Sequence, residues 1–254
     1  MNKFIQKAIV LNQESNYKIN DFPEDLIQFF KGLRTKFRIS LTLMLYTKGS
    51  SSLSEICKNL NVKSGYLVNQ LKILELSGIV QNFIEKRSNT KQYSFYEITE
   101  YGFRLLEGII KCYRLLRFEK ILWKDNYYKN KIVINELELL FKGLSNRFRI
   151  ELLLHLYKGG ALSFSNIVNM TKKEKSSITK HLKKLEICGL IQNFLKKSND
   201  TSDYSFYEVT EFGSEIITNL IHRYNEYYQL LPIEEKKHRF NKKYSEAESK
   251  IYFI

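Results

Sequence analysis

The sequence contains two similar segments that follow one another at an offset of about 111 residues. FKGL begins at Phe30 and again at Phe141, and YSFYE begins at Tyr93 and again at Tyr204. Roughly 35 of about 84 aligned positions are identical without a gap, and a repeat this long is a domain with its own core rather than a solenoid unit. The sequence therefore predicts two copies of one domain.

Each copy is predicted to contain short helices, a β-hairpin and a long final helix. Apolar residues recur at helical spacing, as at Leu67, Leu71 and Leu74. The predicted helices lie near 24–33, 35–47, 52–60, 64–77 and 100–122, then near 135–144, 146–158, 164–170, 175–188 and 211–231, and the predicted hairpins lie at 79–98 and 190–209. The predicted fold class is mainly α with small β-hairpin wings, in two domains from an internal duplication that are joined through long helices.

Each long helix carries an apolar stripe on one face. The stripes are Leu105, Ile109, Tyr113 and Leu116 in the first copy, and Ile216, Leu220, Tyr224 and Tyr228 in the second. Such stripes are too apolar to face water, so they are expected to pack against each other in one chain or against a second chain. The sequence predicts an intramolecular pseudo-dimer or a homodimer and leaves both open.

The predicted segments follow from these elements and from the polar stretches between them. They are an extension at 1–20, a first domain at 21–122, a linker at 123–131, a second domain at 132–231 and a charged tail at 232–254. The N-terminal apolar patch is interrupted by Lys7 and is too short for a signal peptide or a membrane-spanning helix. The three cysteines are scattered, which fits a reducing compartment and predicts a cytoplasmic protein.

The chain is strongly basic, with a net charge of +14 and a sequence pI near 9.5. A balance of this kind favours a polyanionic partner, nucleic acid first and an anionic membrane surface second. Abundant Asn, Ile, Lys and Tyr also suit an AT-rich coding sequence, so the charge supports nucleic-acid binding without establishing it.

The longest mismatch between the copies lies at 57–70, against 168–181. The first copy reads CKNLNVKSGYLVNQ and the second reads VNMTKKEKSSITKH. A segment whose surface chemistry differs between otherwise matching copies is a candidate recognition surface. The alternative is sequence drift on a solvated face.

Each copy has the order of a winged helix-turn-helix: a short helix, a tight turn, a helix with a polar outer face, and a hairpin with a basic tip. The second helix of such a unit fits the major groove, where base edges differ. SSITKHLKKLE at 176–186, CGLI at 188–191 and LSNRFRIELL at 144–153 resemble the ArsR-like winged helix regulators of archaea and bacteria. The resemblance covers about 26–118 and 137–230.

The resemblance implies the residues that would face DNA. In the second copy they are Lys175, Ser176, Ser177, Thr179 and Lys180, with Lys183 beside them. The equivalent positions of the first copy hold Ser64, Gly65, Tyr66, Val68 and Asn69. Gly65 and Val68 depart from the family pattern and weaken the first copy's claim to read bases. Asn69 and Gln70 are suited to adenine, and Lys63 and Lys72 to phosphates.

The hairpin tips carry further basic residues that would contact phosphates. They are Lys86, Arg87 and Lys91 in the first copy and Lys196 and Lys197 in the second. Charged hairpin tips are common in proteins without this role, which is the alternative.

No metal, cofactor or enzymatic activity is predicted. Members of the family often bind a metal through paired cysteines on the helix before the turn, whereas this chain has Cys57 in one copy and Val168 in the other. Cys57, Cys112 and Cys188 are expected to be small buried apolar residues. The histidines lack ligand spacing, and no phosphate-loop, dinucleotide or hydrolase motif is present.

The function predicted from the sequence is binding of double-stranded DNA as a transcription regulator or chromatin-associated protein. Recognition helices are expected near 64–77 and 175–188. The alternative is a protein-interaction module, because tandem winged helices also occur in ESCRT-II-like and polymerase-associated proteins.

Overall fold

The computed structural model describes residues 23–86, 92–116, 127–197 and 203–232. The first half contains α1 (Glu24–Gly32), α2 (Lys36–Lys48), β1 (Ser51–Ser52), α3 (Leu53–Leu60), α4 (Ser64–Leu76), β2 (Val80–Lys86), β3 (Gln92–Ile98) and α5 (Glu100–Leu116). After a 3₁₀ turn (Tyr127–Lys129), the second half contains α6 (Lys131–Leu144), α7 (Arg147–Gly159), β4 (Leu162–Ser163), α8 (Phe164–Thr171), α9 (Lys175–Ile187), β5 (Ile191–Lys197), β6 (Asp203–Val209) and α10 (Glu211–Leu230). The described chain is mostly helical, and the same order of elements occurs twice.

Two small antiparallel sheets accompany the helices, with strand orders β1-β3-β2 and β4-β6-β5. The hairpin strands lie where the sequence predicts them, but β1 and β4 were not predicted. Each has only two residues, as in the pairing of Ser51 with Tyr96 and Ser52 with Phe95, and so carries no periodicity. Ser52 and Glu55 form a capping box, so Ser52 is both the last residue of β1 and the N-cap of α3.

The described part of the segment before the second half is a 3₁₀ turn, Tyr127–Lys129, that packs on α2. Tyr128 is buried against α2, with the Lys48 ammonium 5.9 Å from the centre of its ring. Asn130 caps α6 by accepting from the N–H groups of Ile132 and Val133, so this helix begins at 131 and not at 135. Residues 117–126 lie outside the described residues.

The long helices α5 and α10 pack against each other within the chain. The Tyr113 ring lies 5.0 Å from that of Phe212, and the Tyr101 ring lies 6.4 Å from that of Tyr224. The start of each helix therefore lies beside the far end of the other, in an antiparallel pair. Between them, a Cβ on Gly108 would lie 3.1 Å from the Cγ of Arg223, so the two backbones approach closely there.

Most of the predicted apolar stripes are buried in this pair. Leu105, Ile109, Tyr113, Ile216, Leu220 and Tyr224 are buried and Tyr228 is half-buried. Leu116 is 38 % exposed, so its predicted burial is wrong. Phe212, near the first residue of α10, already lies beside Tyr113, and Leu116 extends beyond the point where α10 begins.

The contacts between the halves are reciprocal. The Tyr113 hydroxyl donates to the backbone oxygen of Glu136 at 3.1 Å, and the Tyr224 hydroxyl donates to a carboxylate oxygen of Asp25 at 3.3 Å. Tyr224 and Glu136 each stand 111 positions after Tyr113 and Asp25. Pairs of this kind, in which i contacts j′ and j contacts i′, are what a two-fold relation produces.

Candidate nucleic-acid interface

Both halves form the same helix-turn-helix backbone. The turn after α3 places Asn61 in the left-handed region at φ 52°, and the turn after α8 places Lys172 there at φ 51°. Each of these residues donates its N–H to the carbonyl four residues back, which ends the first helix of the pair. The two turns therefore direct α4 and α9 in the same way.

A threonine after each hairpin fixes the C-terminal ends of α4 and α9 through hydrogen bonds. In the second half the Thr210 hydroxyl donates to the Gly189 carbonyl at 2.6 Å and accepts from the Gly213 N–H at 2.9 Å. A Cβ on Gly213 would lie 2.1 Å from the Leu190 carbonyl oxygen, so only glycine allows this approach. Thr99 makes the same contacts in the first half. The C-terminal end of α9 is thus held to the start of α10, as that of α4 is held to the start of α5.

The outer face of α9 carries most of the predicted DNA-binding residues of the second half. Ile178, Leu182 and Leu185 are buried, which turns the opposite face of the helix to solvent. Lys175, Ser176, Thr179, Lys180 and Lys183 are exposed, and Ser177 is half-buried. Ser176, Thr179, Lys180 and Lys183 lie within about 100° of one another around the helix, whereas Lys175 lies in its first turn.

Lys184 is a further exposed residue of that surface that the sequence reasoning did not include. Lys184 stands four residues, about one helical turn, after Lys180, so the spacing in the sequence could have placed it on the same face. We call Lys180, Lys183 and Lys184 the lysine face. Lys172 and Lys173 are exposed in the turn that leads to it.

His181 lies at the edge of α9 and faces the protein. Its ring lies 4.9 Å from that of Phe148, and the Lys173 ammonium lies 4.9 Å from the same Phe148 ring. Burial lowers the pKa of His181, and the positive charges of Arg149, Lys184 and Lys173 lower it further. His181 therefore supports the helix rather than adding to its outer face.

The matching surface on α4 is different in chemistry. Ser64, Tyr66, Asn69 and Lys72 are exposed, as are Gly65 and Val68. The Tyr66 ring packs 4.9 Å from that of Phe37, and its side chain remains 49 % exposed. Gln70 is half-buried, and its amide oxygen accepts from Arg38 at 3.0 Å. The first half thus presents a partly apolar surface on which Lys72 is the one lysine of α4, where the second half presents several lysines.

The stems of the two hairpins contain the same aromatic pair. Phe83 stacks on Phe95 at 5.9 Å, and Phe194 stacks on Phe206 at 5.8 Å. Among the predicted tip residues, Lys86, Lys196 and Lys197 stand at strand ends where the structure describes the backbone. Arg87 and Lys91 lie outside the described residues.

In the described ranges no group of three or more His, Cys, Asp and Glu side chains could hold a metal ion. Cys112 and Cys188 are buried, and burial raises the pKa of Cys112 to about 12. Cys57 on α3 packs against the hydrophobic core but is only partly buried, so its predicted burial is met only in part. None of the helices described in those ranges is long and apolar enough to cross a membrane.

Comparison with known proteins places a family match on the second half. Residues 148–193 match the family described as bacterial regulatory protein, arsR family, and they run from α7 through α9 to the start of β5. A solved structure titled as the transcriptional regulator homologue protein from Pyrococcus horikoshii OT3 aligns at 21 % identity, covers 37 % of this chain and 95 % of its own, and gives a TM-score of 0.32. A search of curated proteins found no match. The chain thus contains an ArsR-family helix-turn-helix at 148–193.

Proposed function

We propose that this protein is a non-enzymatic, cytoplasmic regulator of transcription that binds double-stranded DNA. The observation that carries this proposal is the exposed lysine face of α9, which follows a helix-turn-helix turn inside the segment that matches the arsR family. A helix with exposed cations and short hydroxyl side chains suits the major groove, where phosphates flank readable base edges. We assign Lys196 and Lys197, at the end of β5, to contacts with the adjacent phosphate backbone of the DNA.

The two halves are proposed to be copies that arose by duplication and that act as an intramolecular pseudo-dimer. The domain bounds assigned to them are 21–122 and 132–231. The antiparallel pair of α5 and α10 supports this arrangement, because one chain supplies both of the long helices that two chains would otherwise contribute. A homodimer is not needed to cover the apolar stripes.

The test is the salt dependence of duplex binding by the full chain. If the protein neutralises six to ten phosphates, its affinity should fall by about 10³-fold or more between about 50 and 200 mM salt. Fluorescence anisotropy with a labelled duplex measures this directly. A flat response to salt, or no binding at low salt, would contradict the proposal.

A second function, protein binding through the first half, is favoured by one observation. On α4 the side chains of Tyr66 and Val68 are 49 % and 44 % exposed, and neither is charged. A helix that binds another protein would use such residues, and its affinity for that protein would not depend on the salt concentration. Under this alternative, Val68→Asp would leave duplex affinity unchanged, whereas contact of α4 with DNA makes the added negative charge costly.

A further inference from the structure

We infer that one chain binds a single asymmetric duplex site in two parts, with guanine required under α9 and an A·T pair required at the equivalent position under α4. This inference rests on the proposed DNA binding. It adds the class of base pair that each half requires and the residue that requires it.

The first step is the relation between the halves. Phe30 and Phe141 are equivalent residues, and their rings lie 6.3 Å apart. Gly108 and Asn219 are also equivalent, and a Cβ on Gly108 would lie 3.6 Å from that of Asn219. A residue meets its own equivalent only close to a two-fold axis, so the axis runs between α1 and α6 and between α5 and α10.

The second step is what this axis does to the recognition helices. A two-fold axis places α4 and α9 at the same height on opposite sides and gives their outer faces the same inclination to it. Duplex DNA has the same kind of dyad between two half-sites, which is why two-fold proteins bind paired half-sites. One chain can therefore offer one helix to each half-site of one duplex.

The third step identifies the central residue on the outer face of each helix. Leu67, Leu71 and Leu74 face the core, and at about 100° per residue the positions opposite them are 65, 69 and 76, of which 69 lies at the middle of α4. The same geometry in α9, with Ile178, Leu182 and Leu185 inside, gives 176, 180 and 187, of which 180 is central. Both positions are exposed, and 180 − 69 = 111 shows that they are equivalent. The two central positions hold Asn69 and Lys180.

The fourth step is the chemistry of these two side chains. Lysine donates to O6 and N7 of guanine, whereas an asparagine amide pairs with N6 and N7 of adenine. Next to Asn69, Val68 is 44 % exposed and offers methyl groups to the methyl group of a thymine, where α9 has Thr179. Equivalent positions of the two half-sites therefore require different base pairs, and the site cannot be a perfect inverted repeat.

Gln70 is excluded as the adenine reader by its contact. Its amide oxygen accepts from Arg38, and the equivalent residue His181 packs against Phe148. In both halves this position faces the protein. Asn69 is thus the amide of α4 that we assign to the base.

The experiment is selection of bound duplexes from a randomised library by the full chain at low salt. The expected result is a two-part site with guanine in one part and adenine at the equivalent position of the other. A symmetric inverted repeat, a one-part site, or binding without enriched sequence would overturn this inference and leave the proposed DNA binding intact. Absence of any duplex binding would overturn both.

Two exchanges between the halves sharpen the test. Asn69→Lys should select guanine in both parts, and Lys180→Asn should select adenine in both. Each should shift the preference between matched and mismatched duplexes by about tenfold or more. Lys111→Asn, at an exposed position of α5, is the control and should select the wild-type site.

Both exchanged positions are exposed, so equal melting temperatures would show that the variants fold. An Asn69→Lys variant that folds and selects the wild-type site would show that α4 does not read the duplex. That result would overturn the inference and favour a protein partner for α4.

Discussion

The two helix-turn-helix units have nearly the same backbone and different outer surfaces. Thr99 and Thr210 make the same hydrogen bonds, and Asn61 and Lys172 adopt the same left-handed conformation. Yet Asn69 stands where α9 has Lys180. Residues that direct α4 and α9 make the same contacts in both halves, whereas the exposed residues of the two helices differ. Exposed positions are free to change because they contribute little to stability.

The interface between the halves shows the same division. The aromatic contacts near the axis are reciprocal, whereas the ion pair of Glu24 with Arg147 has no counterpart, because Asn135 and Lys36 occupy the equivalent positions. The equivalence of the halves is thus a property of the core, and asymmetry begins at the surface. Four measurements test this comparison.

The largest effect is expected from truncation at the axis. Phe30→Ala and Phe141→Ala should each lower the free energy of unfolding by about 3–5 kcal/mol, because both rings are fully buried. The losses should be similar in the two halves. Urea denaturation measures them, with Ile132→Ala as the control at a position that is 59 % exposed.

The double variant sharpens this test. Since the two rings touch, removing both opens one shared cavity, and the combined loss should be smaller than the sum of the single losses. Strict additivity would mean that the two residues do not share one core, and the pseudo-dimer arrangement would have to be abandoned.

The next effect concerns two equivalent lysines. Lys72 and Lys183 are exposed at matching positions of α4 and α9. If both helices lie on DNA, Lys72→Ala and Lys183→Ala should each reduce the slope of log affinity against log salt by about 0.9. An unchanged slope for Lys72→Ala alone would break the comparison by showing that only the second half contacts phosphates.

How far the sequence predicts this molecule depends on the kind of residue. Helices were predictable because residues such as Leu67 and Leu71 recur at helical spacing, and the repeat confirmed each pattern a second time. The strands β1 and β4 were not, because two residues have no period. The hydrogen bond between Gln70 and Arg38 could not be predicted either, because the two residues are 32 positions apart and only the fold brings them together.

A smaller effect is expected from the turn before α9. Lys172 has a positive φ, which costs most residues roughly 1–2 kcal/mol and costs asparagine less. Lys172→Asn, which copies Asn61 of the first half, should therefore raise the free energy of unfolding by up to about 1 kcal/mol. It should also weaken duplex binding, because a cation beside the lysine face is lost. A variant that is less stable, or one that binds DNA more tightly, would contradict this reasoning.

The smallest effect is expected from His181→Gln, which places the residue of the first half, Gln70, in the second. Burial and neighbouring positive charges lower the pKa of His181 in the folded protein, so below the unfolded value of about 6.5 the unfolded chain binds more protons. This histidine should therefore reduce stability as the pH falls below about 6.5, and stability should be fully retained above it. Burial also lowers the pKa of His155, so His155 adds a loss of stability at low pH in the same direction.

Urea denaturation at pH 7.5 and 5.5 should show a smaller acid-induced loss of stability in His181→Gln than in the wild type. Part of the loss should remain because His155 is still present. An equal loss in both proteins would mean that the His181 ring is protonated as readily in the folded protein as in the unfolded chain. The contact of His181 with Phe148 would then not make the stability of α9 depend on pH in a way that the stability of α4 does not.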